Sequence, residues 1–418
     1  MAINTPGVLD PELQIEIFLT DLKKEALPQE VFDKLSDDYV YSVGEDAPAL
    51  PNAIYLKLDA KADEGRTVKV PMVKDLYEAP TLGANGDQRL NEEDITTKFF
   101  KMQYTDISHA TTNQAYGIYA RDKFPYKLFE QRVPLLGRYF KQYFGKMRRQ
   151  ALLEGASENL ATAPHFLNPS WSPNWYIPGL SNAQQPVYNA SYATWTQTLV
   201  NALNTAGTGT NAAASVRFFQ RLEEWASTES LIRRIMFEDG TEGYLFFIPS
   251  PQATWLKHPT QVGALGPIWR DAQAFSQEIR FMYPGFLGQL GCIRFIEDPR
   301  YPTLTVGGTA TGATGGASLT ALYRGMGNAD DGSSDPRDKT AAARQVGFLV
   351  GQAALCEWMP EGFHWEWEYQ QYDKYFGSGV FCSCGIKQVG YDVGENAGST
   401  TLQQQGSIVV PFAAPPVD

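Results

Sequence analysis

The stretch that decides the fold is YKLFEQRVPLLGRYFKQYFGKMRRQALLEG, which runs from residue 126 to residue 155. Its apolar side chains recur every three or four residues, and this spacing predicts one apolar stripe along a long helix. Pro134 starts or kinks the main helix, because proline disrupts a helix interior. Gly155 favours a helix end at that position. The residues of the predicted stripe are Leu136, Phe140, Tyr143, Met147 and Ala151.

The same helix is predicted to carry a basic face opposite the apolar stripe. Two interpretations of this face remain open from the sequence. The charges either face water, with a favourable bias towards the C-terminal end of the helix dipole, or contact nucleic-acid phosphates without sequence preference. The basic residues are Arg138, Lys141, Lys146, Arg148 and Arg149.

A long two-stranded ribbon is predicted upstream of this helix. The segments AIYLKL (53–58) and TVKVPMV (67–73) read as short strands, and ITTKFFKMQYTDIS (95–108) reads as a longer returning strand. Between them, PTLGANGDQRLNEED (80–94) is rich in turn-forming residues. An isolated ribbon is only marginally stable in water. We therefore expect the partner of this ribbon to lie on another domain or outside the subunit.

The first 52 residues predict an acidic arm. They contain eleven acidic residues and three lysines, and two short helices are expected on either side of Pro28. The apolar faces of such helices are too small to fold alone. The arm is therefore expected to pack on something else.

An α/β pattern follows the helix and a Pro- and Asn-rich stretch at 160–215. Ser250 is predicted to cap a helix that has Pro251 at its first position. The Gly- and Thr-rich stretch 305–338 reads as a flexible surface loop. Other helices are expected at 216–226, 227–238 and 270–280, strands at 243–249 and 291–298, and a buried strand or turn leading into a short helix at 344–358.

The segment FHWEWEYQQYDKYF (363–376) alternates aromatic and polar residues, which is typical of a strand. Glu366 and Glu368 then point the same way, roughly 6–7 Å apart, near the separation of an inverting glycosidase pair. Like charges on one strand face are otherwise solvated, or paired across a sheet or an interface. The following segment, GVFCSCGIKQVGYD (379–392), reads as a second strand, and a polar tail ending in SIVVPFAAPPVD closes the chain.

Composition narrows the functional classes. The chain has 418 residues and a formal net charge of −12, so the molecule as a whole does not attract nucleic acid. No signal peptide and no membrane-spanning apolar run is visible. Cys382 and Cys384 lie on one strand face, either as small buried hydrophobic residues or as half of a zinc site. The four histidines are scattered, and no catalytic motif, metal-ligand set or cofactor fingerprint is predicted.

The order of these elements resembles the major capsid proteins of tailed double-stranded DNA phages, which share the Hong Kong ninety-seven-like fold. The order of the segments and the kinds of residue in them most resemble the branch of this family found in some short-tailed phages. This likeness rests on the returning strand and long helix, on GQAALCEW (351–358), and on GIKQVGYD (385–392). The resemblance implies an α+β fold with an N-terminal arm at 1–52, an extended loop at 53–100, a peripheral domain with the spine helix and an insertion at 101–215, an axial domain at 216–362, and a return to the peripheral domain with a C-terminal tail at 363–418.

The resemblance also implies a structural, non-enzymatic role. Such a chain assembles with itself as hexamers and pentamers into an icosahedral shell around double-stranded DNA in the host bacterial cytoplasm. The implied partners are a separate scaffolding protein and a portal protein, and no membrane is involved. Whether a decoration protein also binds is left open. Trp365 and Trp367 are then packing residues. The basic residues named above would face DNA, and the expected intersubunit contacts of the extended loop are Leu82, Asn85, Asp87, Arg89 and Glu92.

Two other functions remain as alternatives. A carbohydrate-active enzyme would use Glu366 or Glu368 with another carboxylate. The other alternative is a non-capsid virion or adhesion protein.

Overall fold

The fold is taken from a computed structural model of the full chain. The part of the chain that the structure describes comprises residues 36–40, 55–59, 67–73, 97–113, 132–154, 165–166, 174–181, 185, 201–206, 212–228, 232–237, 240–257, 286–307, 318–322, 343–370, 375–391, 403–404 and 406–415.

The secondary structure is mixed, as the sequence predicts. Among the described residues, 201–206 are helical, and three further helices are α1 (Arg132–Glu154), α2 (Val216–Thr228) and α3 (Ser250–Leu256). The strands are β1 (Ser36–Val40), β2 (Tyr55–Asp59), β3 (Thr67–Val73), β4 (Thr97–Gln103), β5 (Thr105–Asn113), β6 (His165–Phe166), β7 (Asn174–Trp175), β8 (Ile235–Met236), β9 (Glu242–Pro249), β10 (Phe286–Leu290), β11 (Ile293–Asp298), β12 (Thr303–Gly307), β13 (Ser318–Leu322), β14 (Ala343–Val350), β15 (Leu355–Gln370), β16 (Tyr375–Gln388), β17 (Gly390–Tyr391), β18 (Gln403–Gln404) and β19 (Ser407–Ala413).

The smaller of the two main sheets has the order β1-β2-β15-β16-β5. Its centre is the antiparallel pair β15–β16, which confirms the strands predicted from the aromatic–acidic segment and from the cysteine-containing segment. Phe363 and Trp365 are buried, whereas His364 and Glu366 are exposed. The period-2 pattern therefore separates a core face from an outer face, as expected for a half-buried strand. Strand β1 lies in the acidic arm and pairs in parallel with β2 of the same chain.

The predicted ribbon is present at its base. Strands β3 and β4 pair antiparallel in a separate two-stranded sheet, with Thr67 opposite Gln103 and Val73 opposite Thr97. The sequence predicts one long returning strand, but the structure divides it at Tyr104. Strand β4 stays in the ribbon, while β5 joins the smaller sheet beside β16. The division lets one chain segment connect the ribbon to the body.

The larger sheet has the order β10-β11-β9-β14-β12-β13-β6, and β19 pairs with β14 and β7. Strand β9 shows why this sheet is central: it is buried on both faces. Leu245 and Phe247 belong to the apolar cluster shared with α1, and Phe246 belongs to the cluster shared with α2 and α3. Apolar residues on successive positions are typical of a strand covered on both faces.

Helix α1 lies between the two sheets. Its residues Leu136, Phe140 and Met147 join one apolar cluster with Val380 of the smaller sheet and Phe348 of the larger sheet. Helices α2 and α3 cover the opposite face of the larger sheet. The layers are therefore smaller sheet, α1, larger sheet, and then α2 with α3. No helix in the described residues is long and apolar enough to cross a membrane.

Two predicted helices are wrong. Residues 232–237, inside the segment predicted as helical at 227–238, are extended around β8, which pairs with β9 across a turn where Gly240 has φ of +76°. The short helix expected within 344–358 is replaced by a turn between β14 and β15. That turn is held by neighbouring backbone, because Gly351 N–H donates to the carbonyl of Gly406 and Gln352 N–H donates to that of Arg233.

Three further features differ from the sequence-based expectation: the N-cap of α3, the β12–β13 hairpin and the strand β19. Helix α3 begins at Ser250 with Pro249 as its cap residue and no side-chain cap, so Ser250 is not the N-cap. Strands β12 and β13 form a hairpin inside and beside the stretch expected to be loop. Strand β19 lies within the predicted polar tail, yet it is fully buried and pairs along β14. Its run of apolar residues fills a strand position in the larger sheet.

Some predictions lie outside the described residues. These are the two helices of the acidic arm, the helix at 270–280, and the turn-rich segment 80–94.

Candidate assembly surfaces and the helix between the sheets

The C-terminal half of α1 is buried on every side. Residues 144–153 are all buried, although they include Lys146, Arg148 and Arg149. The first turns are more open, since Leu135 and Arg138 are exposed. The apolar stripe predicted from the sequence is confirmed, but the second half of the helix also meets the larger sheet. A helix between two sheets needs partners for the polar side chains on its second face.

Arg149 is held by the larger sheet. Its Nε donates to Oδ2 of Asp298 at 2.8 Å, and its Nη2 donates to Oδ1 at 2.9 Å. Both side chains are buried. Asp298 is the last residue of β11, and its Oδ1 also accepts the backbone N–H of Arg300 at 2.9 Å. This two-bonded pairing of guanidinium with carboxylate is a strong and directional polar contact.

Arg148 is held by the smaller sheet. Its Nη2 donates to Oε2 of Glu357 at 3.3 Å, and both side chains are buried. Glu357 lies on β15, where it points towards α1 alongside the buried Leu355. Consecutive helical residues point about 100° apart. Arg148 and Arg149 can therefore reach two different sheets.

These contacts correct the DNA-facing expectation for three of the five basic residues. Lys146, Arg148 and Arg149 are buried within the subunit, and both arginines are neutralised by carboxylates. A side chain in that position does not present charge to a DNA phosphate. Arg138 is exposed and Lys141 is half-buried, so DNA contact at these two residues stays a prediction.

The expected contact residues of the extended loop lie outside the described residues. These are Leu82, Asn85, Asp87, Arg89 and Glu92.

The ribbon that leads to this loop is anchored on the smaller sheet. Val68 and Met102 are buried at its base. Tyr104 packs edge-on against Trp358 of β15, with ring centroids 5.3 Å apart. A side chain at Gly385 would collide with the backbone carbonyl of Gln103. The ribbon base therefore sits directly on the sheet, and a glycine makes that approach possible.

The acidic aromatic strand β15 is organised for packing on its inner face. The ring of Phe363 lies edge-on against Phe140 at 5.5 Å and against Phe144 at 5.9 Å. On the outer face, Nε2 of His364 lies 3.3 Å from Oε1 of Glu366. Their side chains are 68% and 65% exposed, respectively. Glu366 therefore stands in water beside a histidine, and the side chain of Glu368 is outside the described part.

The cysteines of the smaller sheet behave as small apolar residues, as one sequence interpretation predicts. Cys382 and Cys384 are unpaired, are buried, and belong to the apolar cluster around α1. Burial raises the pKa of Cys382 to about 12 and that of Cys384 well above its usual value, and nearby Glu357 adds to both. Among the described residues, no three His, Cys, Asp or Glu side chains are grouped to hold a metal ion.

Comparison of the whole fold with solved structures places it among phage capsids. The Cyanophage Pam1 capsid matches with a TM-score of 0.58 and 14% identity, over 93% of this chain and 93% of that chain. The capsid of Ralstonia phage GP4 matches with a TM-score of 0.53 and 14% identity, over 88% and 89%. The acid-stable capsid of Helicobacter pylori bacteriophage KHP30 matches with a TM-score of 0.53 and 10% identity, over 99% of both chains.

The chain has a phage-capsid fold. This agrees with the Hong Kong ninety-seven-like α+β architecture expected from the order of elements in the sequence. A scan against protein-family models gives no match, and a search of curated proteins gives none either. The capsid fold is therefore visible in the three-dimensional arrangement, while the sequence has diverged to 10–14% identity with these three structures.

Proposed function

We propose that this chain is the major capsid protein of a tailed double-stranded DNA bacteriophage. It assembles as hexamers and pentamers into an icosahedral shell that encloses the phage genome. One observation carries the proposal: the capsid fold extends over 88–99% of the chain in the three structural matches. A match of that extent covers most of the chain, rather than a single widespread motif.

A structural role suits the chemistry of the described residues. The carboxylate that a glycosidase interpretation needs, Glu366, is exposed and lies beside His364. Phe363 of the same strand packs against α1, and Trp365 is buried in the same apolar cluster. An inverting glycosidase instead needs two carboxyl groups on opposite sides of the scissile bond. We therefore favour packing over catalysis for this segment.

The ribbon supports assembly for an energetic reason. A two-stranded ribbon has too little core to be stable alone, so a partner surface on a neighbouring subunit stabilises its outer part. Interfaces of permanent complexes bury thousands of Å², and apolar burial contributes roughly 25 cal/mol per Å² before association costs. In this proposal the arm at 1–52 and the loop at 53–100 supply that area, with Leu82 and Arg89 among the contacts.

The remaining partners follow from the same role. The shell is built in the host bacterial cytoplasm around a scaffolding protein, carries a portal protein, and accepts a decoration protein. Packaged DNA meets its inner surface without sequence preference, and the acidic balance of the chain limits adhesion to it. Arg138 and Lys141 are the basic residues of α1 that remain candidates for this contact.

Deletion of residues 80–93 tests the assembly role of the loop. The variant is expected to give a soluble subunit that does not form shells, because the body keeps its sheets while the intersubunit area is lost. A deletion of residues 309–316, in the Gly- and Thr-rich connection between β12 and β13, serves as the matched control and is expected to assemble. Sedimentation separates shells from free subunits in both preparations.

Two outcomes of that experiment would contradict the proposal. Shells at normal yield from the variant lacking 80–93 would show that the loop assignment is wrong. A wild-type chain that stays monomeric with its scaffolding protein and binds oligosaccharide would favour the carbohydrate-active alternative.

A further inference from the structure

Three polar ties meet at the C-terminal end of α1: two join the helix to one sheet each, and the third joins all three layers. Arg149 bonds Asp298 of the larger sheet, and Arg148 bonds Glu357 of the smaller sheet. The third tie is Gln388 of β16. We call the six residues involved the joint: Arg148, Arg149, Asp298, Glu357, Gln388 and Ser407.

Gln388 contacts all three layers at once. It lies on β16 of the smaller sheet, and its Nε2 donates to the backbone carbonyl of Leu152 in α1 at 3.0 Å. The same Nε2 donates to Oγ of Ser407, the first residue of β19 in the larger sheet. Leu152 is in the last turn of α1, where carbonyl groups lack partners within the helix. The amide therefore caps the helix and joins the two sheets.

Much of the remaining contact between the layers is apolar, although α1 also buries Lys146 and Gln150 there. Met147 and Leu152 of α1, Leu355 of the smaller sheet, and Val350 and Val409 of the larger sheet belong to one cluster. Apolar burial is strong but has no preferred direction. Hydrogen bonds and two-bonded ion pairs weaken steeply when their angles change. The joint therefore supplies directional contacts that distinguish one angle between the sheets from neighbouring angles.

Burying these charges is not an efficient way to gain stability. Removing a carboxylate and a guanidinium from water costs free energy that their attraction only partly returns, and apolar replacements of similar volume are often equally stable. The best-attested benefit of such buried polar groups is the selection of one arrangement. The joint places two buried ion pairs and the amide of Gln388 at one end of α1, where they contact both sheets. This arrangement suits the selection of one relative orientation of the sheets.

We propose that the joint sets the angle between the two sheets, and so fixes one shape of the subunit for building a closed shell. The link to shell shape rests on the proposed capsid function, whereas the link to the angle does not. A shell of one size needs subunits of one shape, because a change of angle repeated in every subunit changes the curvature of the assembly.

The test measures the distance between the sheets in the full-length chain before assembly. Spin labels are attached at His364→Cys on the smaller sheet and at Glu242→Cys on the larger sheet, both exposed positions, in a Cys292→Ser background. Pulsed electron paramagnetic resonance then gives the distribution of distances between the two spin labels. The chain with the native joint is expected to show one narrow distance.

Two double substitutions each remove one ion pair without leaving a lone buried charge. Arg149→Met with Asp298→Leu, and Arg148→Met with Glu357→Leu, are expected to keep the fold, as measured by circular dichroism, and to lose the single narrow distance. Arg149→Lys serves as a second route if a double change fails to fold, because lysine keeps the charge but lacks the planar two-bonded geometry. It is also expected to broaden the distribution.

Ser383→Ala is the matched control. It removes a hydrogen bond of 2.8 Å between Ser383 Oγ and Asp106 Oδ1 that lies within the smaller sheet and joins no layers. The distance is expected to stay narrow in this variant. A narrow wild-type distance in every folded joint variant would overturn the proposal.

Electron microscopy of assembled particles separates the joint from the capsid function. Joint variants are expected to give particles of mixed diameter, while the wild type and Ser383→Ala give one diameter. Uniform particles of wild-type diameter from a variant whose distances broaden would overturn the link to shell shape. If the wild type forms no shell while its variants still broaden, the joint stands and the capsid function falls.

Discussion

At the scale of single residues, burial divides the four cysteines into two groups. Cys356, Cys382 and Cys384 are buried, whereas Cys292 is partly exposed. Burial raises the pKa of Cys356 to about 12, so its reactive thiolate is scarce as well as inaccessible. We expect iodoacetamide to modify Cys292 first in the unassembled chain at about pH 8, and the other three only after unfolding. Mass spectrometry of the digested protein would count the modified sites, and modification of Cys382 as fast as that of Cys292 would contradict the structure.

His109 gives the folded chain a defined response to acid. Its ring stacks on Tyr139 with centroids 3.8 Å apart and planes 8° apart, and burial lowers the pKa of His109 below its usual 6.5. The unfolded chain then binds this proton more readily than the folded chain. Stability from this site is therefore complete above about pH 6.5 and is lost as the pH falls through that value towards the lowered pKa.

Replacing His109 by Phe tests that response. The substitution keeps a ring that can stack on Tyr139 but removes the titrating group. We expect the difference in unfolding free energy between His109→Phe and wild type to shift in favour of the variant as the pH falls from about 8 to about 5.5. Urea unfolding at several pH values measures it. If the difference in unfolding free energy did not change with pH, the pKa of His109 would not be lowered in the folded chain.

The buried ion pair of Arg149 predicts a large cost for removing one partner. Asp298→Asn keeps an oxygen for the backbone N–H of Arg300 but leaves the guanidinium without its carboxylate. We expect a loss of about 3–5 kcal/mol in unfolding free energy. Glu366→Gln, which breaks an exposed contact with His364, is the control and should change stability by about 0–1 kcal/mol. Equal effects in denaturant titrations would contradict the buried geometry.

At the scale of secondary-structure elements, the strands with a clear period were predictable. The alternation around Phe363, Trp365 and His364 shows both the strand β15 and its buried face. The spacing of Leu136, Phe140 and Met147 likewise predicts α1, because local periodicity reports which side is buried. The ribbon was also predictable, since β3 and β4 are separated by a turn-rich segment.

What the sequence could not show is which elements are covered twice. Arg148 and Arg149 look like a solvated basic face, because nothing nearby in the sequence reveals the sheet that encloses them. Their carboxylate partners lie 209 and 149 residues away along the chain. Strand β19 was missed for a related reason: it gains its place by pairing with β14, and the polar residues before it suggested a tail. Local pattern cannot supply contacts between distant segments.

The close contact between the ribbon base and the smaller sheet predicts how adding one methyl group at Gly385 changes stability. At Gly385, an added Cβ would meet the backbone carbonyl of Gln103, which cannot turn aside as a side chain can. Gly385→Ala is expected to lower unfolding free energy by about 1–3 kcal/mol and to disturb the contact of Tyr104 with Trp358. Gly362→Ala is the matched control, because its Cβ would meet nothing within 4 Å.

Chemical unfolding followed by tryptophan fluorescence measures both variants. An unaffected Gly385→Ala protein would mean that the ribbon base does not lie against β16.

At the scale of the whole molecule, the body contains the packed core, whereas the ribbon extends from it. The body has two sheets on either side of α1, with two further helices on the outer face of the larger sheet. Its apolar clusters make it stable as one unit. The ribbon base is fastened to that body at Gly385 and Trp358, and it leads to a turn-rich segment outside the described residues. This division suits a subunit whose fixed body is joined to its neighbours through its extensions.

Electron microscopy of the purified full-length chain, assembled together with the proposed scaffolding protein, tests the capsid account most directly. The account predicts closed shells of one diameter, built from hexamers and pentamers in which each subunit shows two sheets around a long helix. A preparation that contains only single, fully compact subunits under these conditions would contradict it.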